Sequence, residues 1–186
     1  FRIVYKGYGS DGNFMCGKYQ SPSEIRGNDS NDNFYILRYA DILLMLAEAE
    51  THIVGGVPSQ EILDNTINAV RSRAGIVPYS NGSNPSGVQI NTKEEMLDAI
   101  LDERYLELAF EGHRWFDLPR SGKAVEIMNE HFKKYYDAFL FNSTGSSNSY
   151  YIKNIRPLVN QYCSLFPIPL TEILVNPKLE QNPNAR

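Results

Sequence analysis

The chain has 186 residues, 42% of them hydrophobic and 22% charged, and a formal net charge of −4. This length and composition are typical of one globular domain that buries its own core. A negative charge provides no attraction for phosphates, which argues against nucleic acid or anionic lipid surfaces as partners. No apolar run approaches the roughly 20 residues that a membrane-spanning helix needs, and the N-terminus lacks a secretory signal pattern.

The N-terminal stretch, residues 1–34, is polar and rich in Gly, Asp and Asn, which predicts loops with one or two weak strands. It opens at Phe1, in the middle of a tyrosine-rich stretch, so we expect residues upstream to have been removed. Cys16 and Cys163 could pair once or be two buried thiols, and two cysteines fit neither a disulfide scaffold nor a zinc site.

Two helices joined by a short turn are predicted next. The first covers Tyr39–Val54 and is apolar on most of its surface, which indicates a central, buried helix. The second is predicted to begin at Pro58 and Ser59 and to continue to Ala74, with Gly75 as its stop. A connection of about four residues implies that the two helices pack antiparallel.

Charged residues lie among the apolar positions of both helices. Glu50 falls within the apolar face of the first helix, and Arg73 lies at the edge of the apolar face of the second. Because an unpaired charge in a core is costly, we expect each to find an opposite charge, with each other as one option.

The stretch Leu97–Arg120 combines a helical apolar pattern with charges at positions that should be buried. Arg104 falls inside the stripe, and Glu107 and Glu111 lie along its edge. A buried guanidinium requires carboxylates, so we expect these three side chains to pair with one another at a helix interface. The apolar stripe, at 100° per residue, consists of Leu97, Ile100, Leu101, Tyr105, Leu108 and Trp115.

The boundaries of this helix and the elements after it are also marked in the sequence. Thr92 and Glu95 form a capping-box pattern at the start of the helix. A fourth helix is predicted over residues 123–139, followed by a surface loop over 141–151. Prolines prevent long regular structure in the tail, where only a turn of helix over residues 171–175 is expected.

Three segments of the chain, in this order, resemble the SusD/RagB family, surface lipoproteins that capture nutrients beside TonB-dependent outer-membrane transporters. They are YILRYADILLMLAEAE at Tyr35–Glu50 with INAVRSRAG at Ile67–Gly75, ILDERYLELAFEGHRWFDLPRSG at Ile100–Gly122, and LFPIPLTEILVNPKLEQNP at Leu165–Pro183. The resemblance covers roughly residues 34–125 and 162–183. The chain ends QNPNAR where the family usually reads QNPGY, so the last turn is expected to differ.

The resemblance implies a mainly α fold of tetratricopeptide-like helix pairs with long irregular loops. It also implies that residues 1–186 are the C-terminal part of such a domain, with the N-terminal half absent. The implied function is non-catalytic: binding oligosaccharide nutrients and delivering them to a SusC-like TonB-dependent transporter. The implied location is the outer membrane, through a lipid anchor upstream of this chain. Some members take up peptides, so a peptide- or protein-binding scaffold remains an alternative.

Nothing in the sequence forms a convincing catalytic site, and no cofactor is implied. Glu107 and Glu111 share a helix face, and paired carboxylates can hydrolyse glycosides, but beside Arg104 they are better explained as structural acceptors. A glycosidase-like enzyme is therefore the weaker alternative. The three histidines lack metal-ligand spacing, and nucleophile elbows and phosphate-binding loops are missing.

Aromatic residues are the best candidates for contacts with a sugar, because sugar rings lay their C–H faces on aromatic planes. Tyr150 and Tyr151 border the predicted Ser- and Asn-rich loop, and Tyr19 lies in the irregular N-terminal stretch. Each could instead be a partly buried packing residue. Trp115, on the predicted buried stripe, is better explained as core than as a sugar platform.

Overall fold

The computed structural model describes residues 5–7, 14–16, 18–19, 33–142 and 166–182. The expectations for Tyr150, Tyr151 and a pairing of Cys16 with Cys163 lie outside this description, because Tyr150, Tyr151 and Cys163 are not among the described residues. The predicted mainly α fold is confirmed, since most described residues are helical and the strands are short. Among the described residues, no helix combines the length and apolar composition that crossing a bilayer requires.

The described elements are seven helices and four strands of two or three residues each. The strands form two small sheets, one antiparallel (β1 with β2) and one parallel (β3 with β4). The elements are β1 (Tyr5–Gly7), β2 (Phe14–Cys16), α1 (Tyr39–Val54), α2 (Gln60–Asn65), α3 (Ile67–Arg73), β3 (Tyr79–Ser80), β4 (Val88–Gln89), α4 (Lys93–Glu107), α5 (Arg114–Arg120), α6 (Ala124–Asn142) and α7 (Leu170–Val175).

The chain divides into two compact units, Phe1–Trp115 and Phe116–Arg186, and the core lies in the first. The predicted bounds of α1 are confirmed, and Gly55 ends the helix with a left-handed φ of 69°, which costs a glycine little. Helix α1 packs against α2, α3 and α4. The buried apolar residues of this core are Leu43, Leu44, Ala47, Leu63, Ile67, Val70, Ile90, Met96, Ala99 and Ile100.

The prediction of one helix from Ser59 to Ala74 is wrong, because the helix is interrupted at Thr66, where φ is −121° and ψ is −102°. The Thr66 hydroxyl donates a hydrogen bond to the carbonyl of Ile62, one turn earlier. Bonding of this kind by threonine bends helices. The interruption separates α2 from α3 while residues of both remain in the core.

The start of α4 is confirmed and its predicted length is wrong. The Thr92 hydroxyl accepts a hydrogen bond from the Glu95 N–H at 3.1 Å, and the Glu95 carboxylate accepts one from the Thr92 N–H. The helix ends at Glu107, and the chain then makes a turn over residues 108–113, the 108–113 turn, before α5 begins. Tyr105, which lies within α4 and was expected on the buried stripe, is 54% exposed, so that expectation is wrong.

In the second unit the predicted fourth helix is confirmed as α6, and the expected short helical turn is α7. Helix α7 has no buried residue, and two side chains fasten the segment that precedes it. Gln181 accepts a hydrogen bond from the Ile168 N–H at 2.8 Å and donates one to the Ile168 carbonyl at 2.9 Å. Asn182 donates to the carbonyl of Phe166. Gln181 and Asn182 are the first two letters of the QNP sequence near the chain end.

Candidate binding site beside the 108–113 turn

The 108–113 turn is anchored by a guanidinium held between two glutamates. Arg38 donates from Nε to Glu111 Oε2 at 2.7 Å and from Nη2 to Glu111 Oε1 at 2.9 Å. Its Nη1 donates to Glu107 Oε1 at 3.0 Å. Because parallel hydrogen bonds between a guanidinium and a carboxylate are among the strongest in proteins, Arg38 fixes the last turn of α4 and the following turn together.

Lys18 reaches the same place from the N-terminal stretch. Its Nζ donates to the main-chain carbonyls of Glu107 and Ala109, at 2.8 and 2.9 Å, and to the carboxylate of Glu111. Carbonyls at the end of a helix lack partners within the helix and carry a partial negative charge. The ammonium group therefore satisfies the C-terminal end of α4 and ties residues before α1 to it.

Burial and cations act in opposite directions on the pKa of Glu111. The side chain is 0% exposed, and burial alone raises the pKa of a carboxyl group. The hydrogen bonds and charges of Arg38 and Lys18 outweigh this effect, so the pKa of Glu111 lies below its ordinary value. Burial likewise lowers the pKa of Arg38, but the two glutamates raise it above its ordinary value. The shifts therefore favour the charged forms of Glu111 and Arg38 in the folded chain.

The expected pairing of Arg104 with Glu107 and Glu111 is wrong. Arg104 donates from Nη1 to Asp41 Oδ1 at 2.6 Å, in the first turn of α1. Helix α4 ends before Glu111, so the projection that put the three charges together does not hold. Arg104 instead joins α4 to α1.

The expected charge pairs of Arg73 and Glu50 have different outcomes. Arg73 forms an ion pair with Glu107, although its own side chain is half exposed. Glu50 is partly buried, and within the described residues it has neither an ion pair nor a hydrogen bond. The two side chains are therefore not each other's partners.

A group of aromatic side chains lies beside this anchor. Tyr19 stacks on Phe34, with ring centroids 6.1 Å apart and planes 8° apart, and its ring is 5.7 Å from that of Tyr35. The Tyr19 hydroxyl donates to the carbonyl of Phe110 at 3.4 Å, in the 108–113 turn. We call Tyr19, Phe34 and Tyr35 the aromatic cluster. Of the three sequence-predicted binding residues, Tyr19 is the one whose surroundings the structure describes.

A cavity of about 490 Å³ lies beside the same turn, with Phe110 among its lining residues. It lies between the end of α4 and the start of α5, inside the first unit. Trp115, predicted to be core, is partly buried and lines the cavity. The lining residues are Arg104, Tyr105, Leu106, Leu108, Ala109, Phe110, Gly112, Arg114 and Trp115.

The chemistry of the buried carboxylates favours structure over catalysis. A glycoside hydrolase needs one carboxyl group with a raised pKa to donate a proton. The pKa of Glu111 is lowered, and both Glu107 and Glu111 are buried and occupied by cations. Within the described residues, no group of three His, Cys, Asp or Glu side chains could hold a metal ion.

Sequence reasoning missed four of the residues that build this region: Lys18, Arg38, Arg71 and Glu103. Arg71, in α3, donates to Glu103 of α4 at 3.1 Å and stacks over the Tyr79 ring at 3.9 Å. One signal was available. Arg38 occupies the position directly before an apolar helix, where Ser, Thr, Asp or Asn is usual, and this departure suggests another role for its side chain. Lys18 gave no signal, because it is one lysine in an irregular polar stretch.

The described residues form a mainly helical protein. Their buried carboxylates are engaged in ion pairs, and no catalytic centre is evident among them. A family model described as "SusD family" matches residues 6–184, and the chain belongs to this family. It is 35% identical over 150 residues to SusD-like protein P38 of Formosa agariphila, a match covering 81% of this chain and 24% of that protein. It is 32% identical over 152 residues to SusD-like protein P25 of the same organism, covering 80% of this chain and 23% of that protein.

A solved structure agrees with these sequence matches. The crystal structure of a SusD homolog from Bacteroides thetaiotaomicron is similar to this chain, with a TM-score of 0.63 and 34% sequence identity. The match covers 90% of this chain and 30% of that one. The chain thus spans about a quarter of the length of the curated relatives it matches.

Proposed function

We propose that this chain belongs to a cell-surface protein that binds oligosaccharide nutrients without cleaving them and delivers them to a SusC-like TonB-dependent transporter. Membership in the SusD family supports a general role in carbohydrate binding and nutrient uptake. The proposal includes a location at the outer membrane through a lipid anchor upstream of the chain. It also takes the chain as the C-terminal part of a longer domain, in keeping with its share of the relatives' length.

The aromatic cluster is the observation that supports a sugar ligand best. Phe34 is 63% exposed and its ring stacks nearly parallel to that of Tyr19, so apolar ring surface is open to solvent here. Such faces bind the C–H face of a pyranose, while nearby polar groups bind its hydroxyls. Tyr35, which is also exposed, widens the surface. Tyr150 and Tyr151 stay predictions for the same role.

The position of the aromatic cluster is well suited to binding because its support is rigid. The Arg38 guanidinium lies 5.9 Å from the centre of the Tyr35 ring, and Arg38 is itself held by Glu107 and Glu111. Tyr19 directly follows Lys18, whose ammonium group is bound at the end of α4. Side chains mounted on such anchors lose little conformational entropy when a ligand binds.

The test uses the full-length protein and isothermal titration calorimetry against plant, host and microbial oligosaccharides, with chromatography of the sugars afterwards. Saturable binding with no new products supports the proposal, and release of shorter sugars contradicts it. Phe34→Ala should weaken binding of the best ligand about five- to fiftyfold, in line with the loss of one stacking contact. The matched control is Phe166→Ala, which removes a ring in the second unit that is 78% exposed and should leave affinity unchanged.

The peptide-binding alternative is tested in the same experiment. A panel of unstructured peptides is titrated alongside the sugars, under identical conditions. Saturable binding of a peptide together with silence toward every sugar would replace the proposal with the peptide-binding function.

A further inference from the structure

The cavity beside the 108–113 turn differs in chemistry from the aromatic cluster, although Phe110 touches both. Its volume of about 490 Å³ lies within the range of roughly 300–1,000 Å³ typical of small-ligand sites. Three rings line it, those of Tyr105, Phe110 and Trp115. Among the described residues that line it, the two charged ones are Arg104 and Arg114, and none carries a carboxylate. A cavity with aromatic walls and cationic edges is suited to a ring that carries negative charge.

Arg114 is the lining arginine whose guanidinium has N–H donors available for a ligand. Its Nη1 donates to the carbonyl of Leu101 at 3.2 Å, and its guanidinium lies over the Tyr105 ring, 4.6 Å from the ring centre. A guanidinium carries five N–H donors, and within the described residues this is the one hydrogen bond Arg114 makes. The stacking on Tyr105 orients the planar group and leaves further donors for an anion, a geometry that favours carboxylate or sulfate oxygens. Arg104, by contrast, is buried and donates to Asp41.

Phe110 supplies an independent indication of a ligand. Its φ is 66°, in the left-handed region that non-glycine residues adopt only at a cost, and its side chain is 58% exposed. A phenylalanine in this position gains little from burial, so replacing it by glycine should raise the stability of the chain. Backbone strain of this kind is concentrated at ligand sites, where it presents a side chain in a fixed direction.

We propose that this cavity binds a pyranose unit bearing an anionic substituent, a carboxylate or a sulfate ester. Arg114 binds the anionic oxygens, and the ring of Phe110 packs against the C–H face of the sugar. This inference rests on the proposed oligosaccharide-binding function and adds to it the charge class of the ligand. The net charge of −4 repels anions in general, so attraction at this site must come from Arg114, since Arg104 is already paired with Asp41.

The test compares three oligomers of equal length on the full-length protein by calorimetry: an oligogalacturonate, its carboxyl-reduced neutral galactan, and a sulfated galactan. At least one anionic oligomer should bind about tenfold or more tightly than the neutral one, and its affinity should fall as salt is added. The carboxylate and sulfate oligomers distinguish the two sources of charge.

Substitutions at Arg114 and Phe110 test the two named residues. Arg114→Gln should weaken the anionic oligomer about ten- to a hundredfold and leave the affinity for the neutral galactan unchanged, and Arg114→Lys should restore only part of the loss because it lacks the planar fork. Phe110→Gly should weaken binding of both oligomers while the melting temperature stays the same or rises. Lys178→Gln, at an exposed cation outside the cavity, is the control and should bind like the unaltered protein.

The outcomes separate this inference from the proposed function. Binding of the neutral and anionic oligomers with equal affinity, unaffected by Arg114→Gln, overturns the inference and leaves the proposed function standing. Silence toward every sugar overturns both. If Arg114→Gln fails to fold, the comparison of Arg114→Lys with Phe110→Gly decides, since only a binding role predicts weaker binding in a variant of undiminished stability.

Discussion

Glu111 is the residue on which the anchor of the 108–113 turn depends most directly. Its carboxylate accepts from both Arg38 and Lys18, and its side chain is fully buried. Replacing it by Gln leaves two partly buried cations facing a neutral group. The amide accepts hydrogen bonds through only one oxygen, and its NH₂ group is a donor. Removing one partner of a buried ion pair typically costs about 3–5 kcal/mol. Urea unfolding of Glu111→Gln should show a loss of this size.

An exposed glutamate provides the comparison for that measurement. Glu130 lies on the exposed side of α6, and Glu130→Gln should change the free energy of unfolding by less than about 0.5 kcal/mol. Equal stability of the two variants would show that Glu111 contributes no more than a surface charge.

The lowered pKa of Glu111 predicts a dependence of stability on pH. A carboxyl group whose folded pKa lies below its unfolded value, 4.5 for Glu111, binds fewer protons in the folded state. Its contribution is therefore complete above pH 4.5 and is lost as the pH falls through the folded value. Denaturant midpoints measured from neutral pH down to about pH 3 should fall for the unaltered chain and fall less for Glu111→Gln. Parallel pH profiles of the two chains would contradict this prediction.

Among the elements, the segment that carries β3 and β4 is held by close packing at Gly87. A Cβ atom added there would lie 2.8 Å from the Cβ of Ser80, which is fully buried, and 3.1 Å from the carbonyl oxygen of Pro78. Gly87→Ala should therefore destabilise the chain by about 1–3 kcal/mol, as overpacking does. Gly56→Ala is the matched control, because nothing lies within 4 Å of its added Cβ and its φ is ordinary. The control should be neutral or slightly stabilising in thermal unfolding.

Gln181 holds the segment before α7 in place, and α7 itself lacks buried residues. Its side-chain amide accepts one hydrogen bond from the main chain of Ile168 and donates one to it, as a neighbouring strand would. Gln181→Ala should leave the unfolding of the whole chain almost unchanged and speed hydrogen exchange of the amides over residues 168–175. Glu180→Ala, next to it and exposed, should not alter exchange there. Unchanged exchange in Gln181→Ala would mean that other contacts hold this segment.

The sequence predicted features that depend on neighbours along the chain. Thr92 and Glu95 are three residues apart, and a capping box needs no other partner, so the start of α4 was predictable. Thr66 was not, because a threonine within a helical pattern interrupts the helix only in some tertiary contexts. The acceptor of Arg104 was also out of reach, since Asp41 lies 63 residues away and only the packing of α1 on α4 brings them together.

At the scale of the whole molecule, family membership was readable from three long segments, and the candidate binding site was not. Ion pairs between α4 and its neighbours use residues inside those segments, such as Arg71, Glu103 and Glu107. The candidate contacts with sugar depend on how Tyr19, Phe34 and Phe110 meet around the 108–113 turn. Such meetings follow from tertiary structure, which a pattern of spacing along one helix does not contain.

The span of the Lys18 and Arg38 contacts has a consequence for the order of folding. Lys18 binds Glu111 across 93 positions of the chain, and Arg38 binds Glu107 across 69. Contacts so distant along the chain carry a large loop-closure cost and are expected to form after the local helices. Glu111→Gln should then leave the refolding rate nearly unchanged and accelerate unfolding, which stopped-flow measurements in urea can separate. A slower refolding rate would place this contact in the folding nucleus. Because these contacts form late, Lys18 and Arg38 mainly slow unfolding and so lengthen the lifetime of the folded chain.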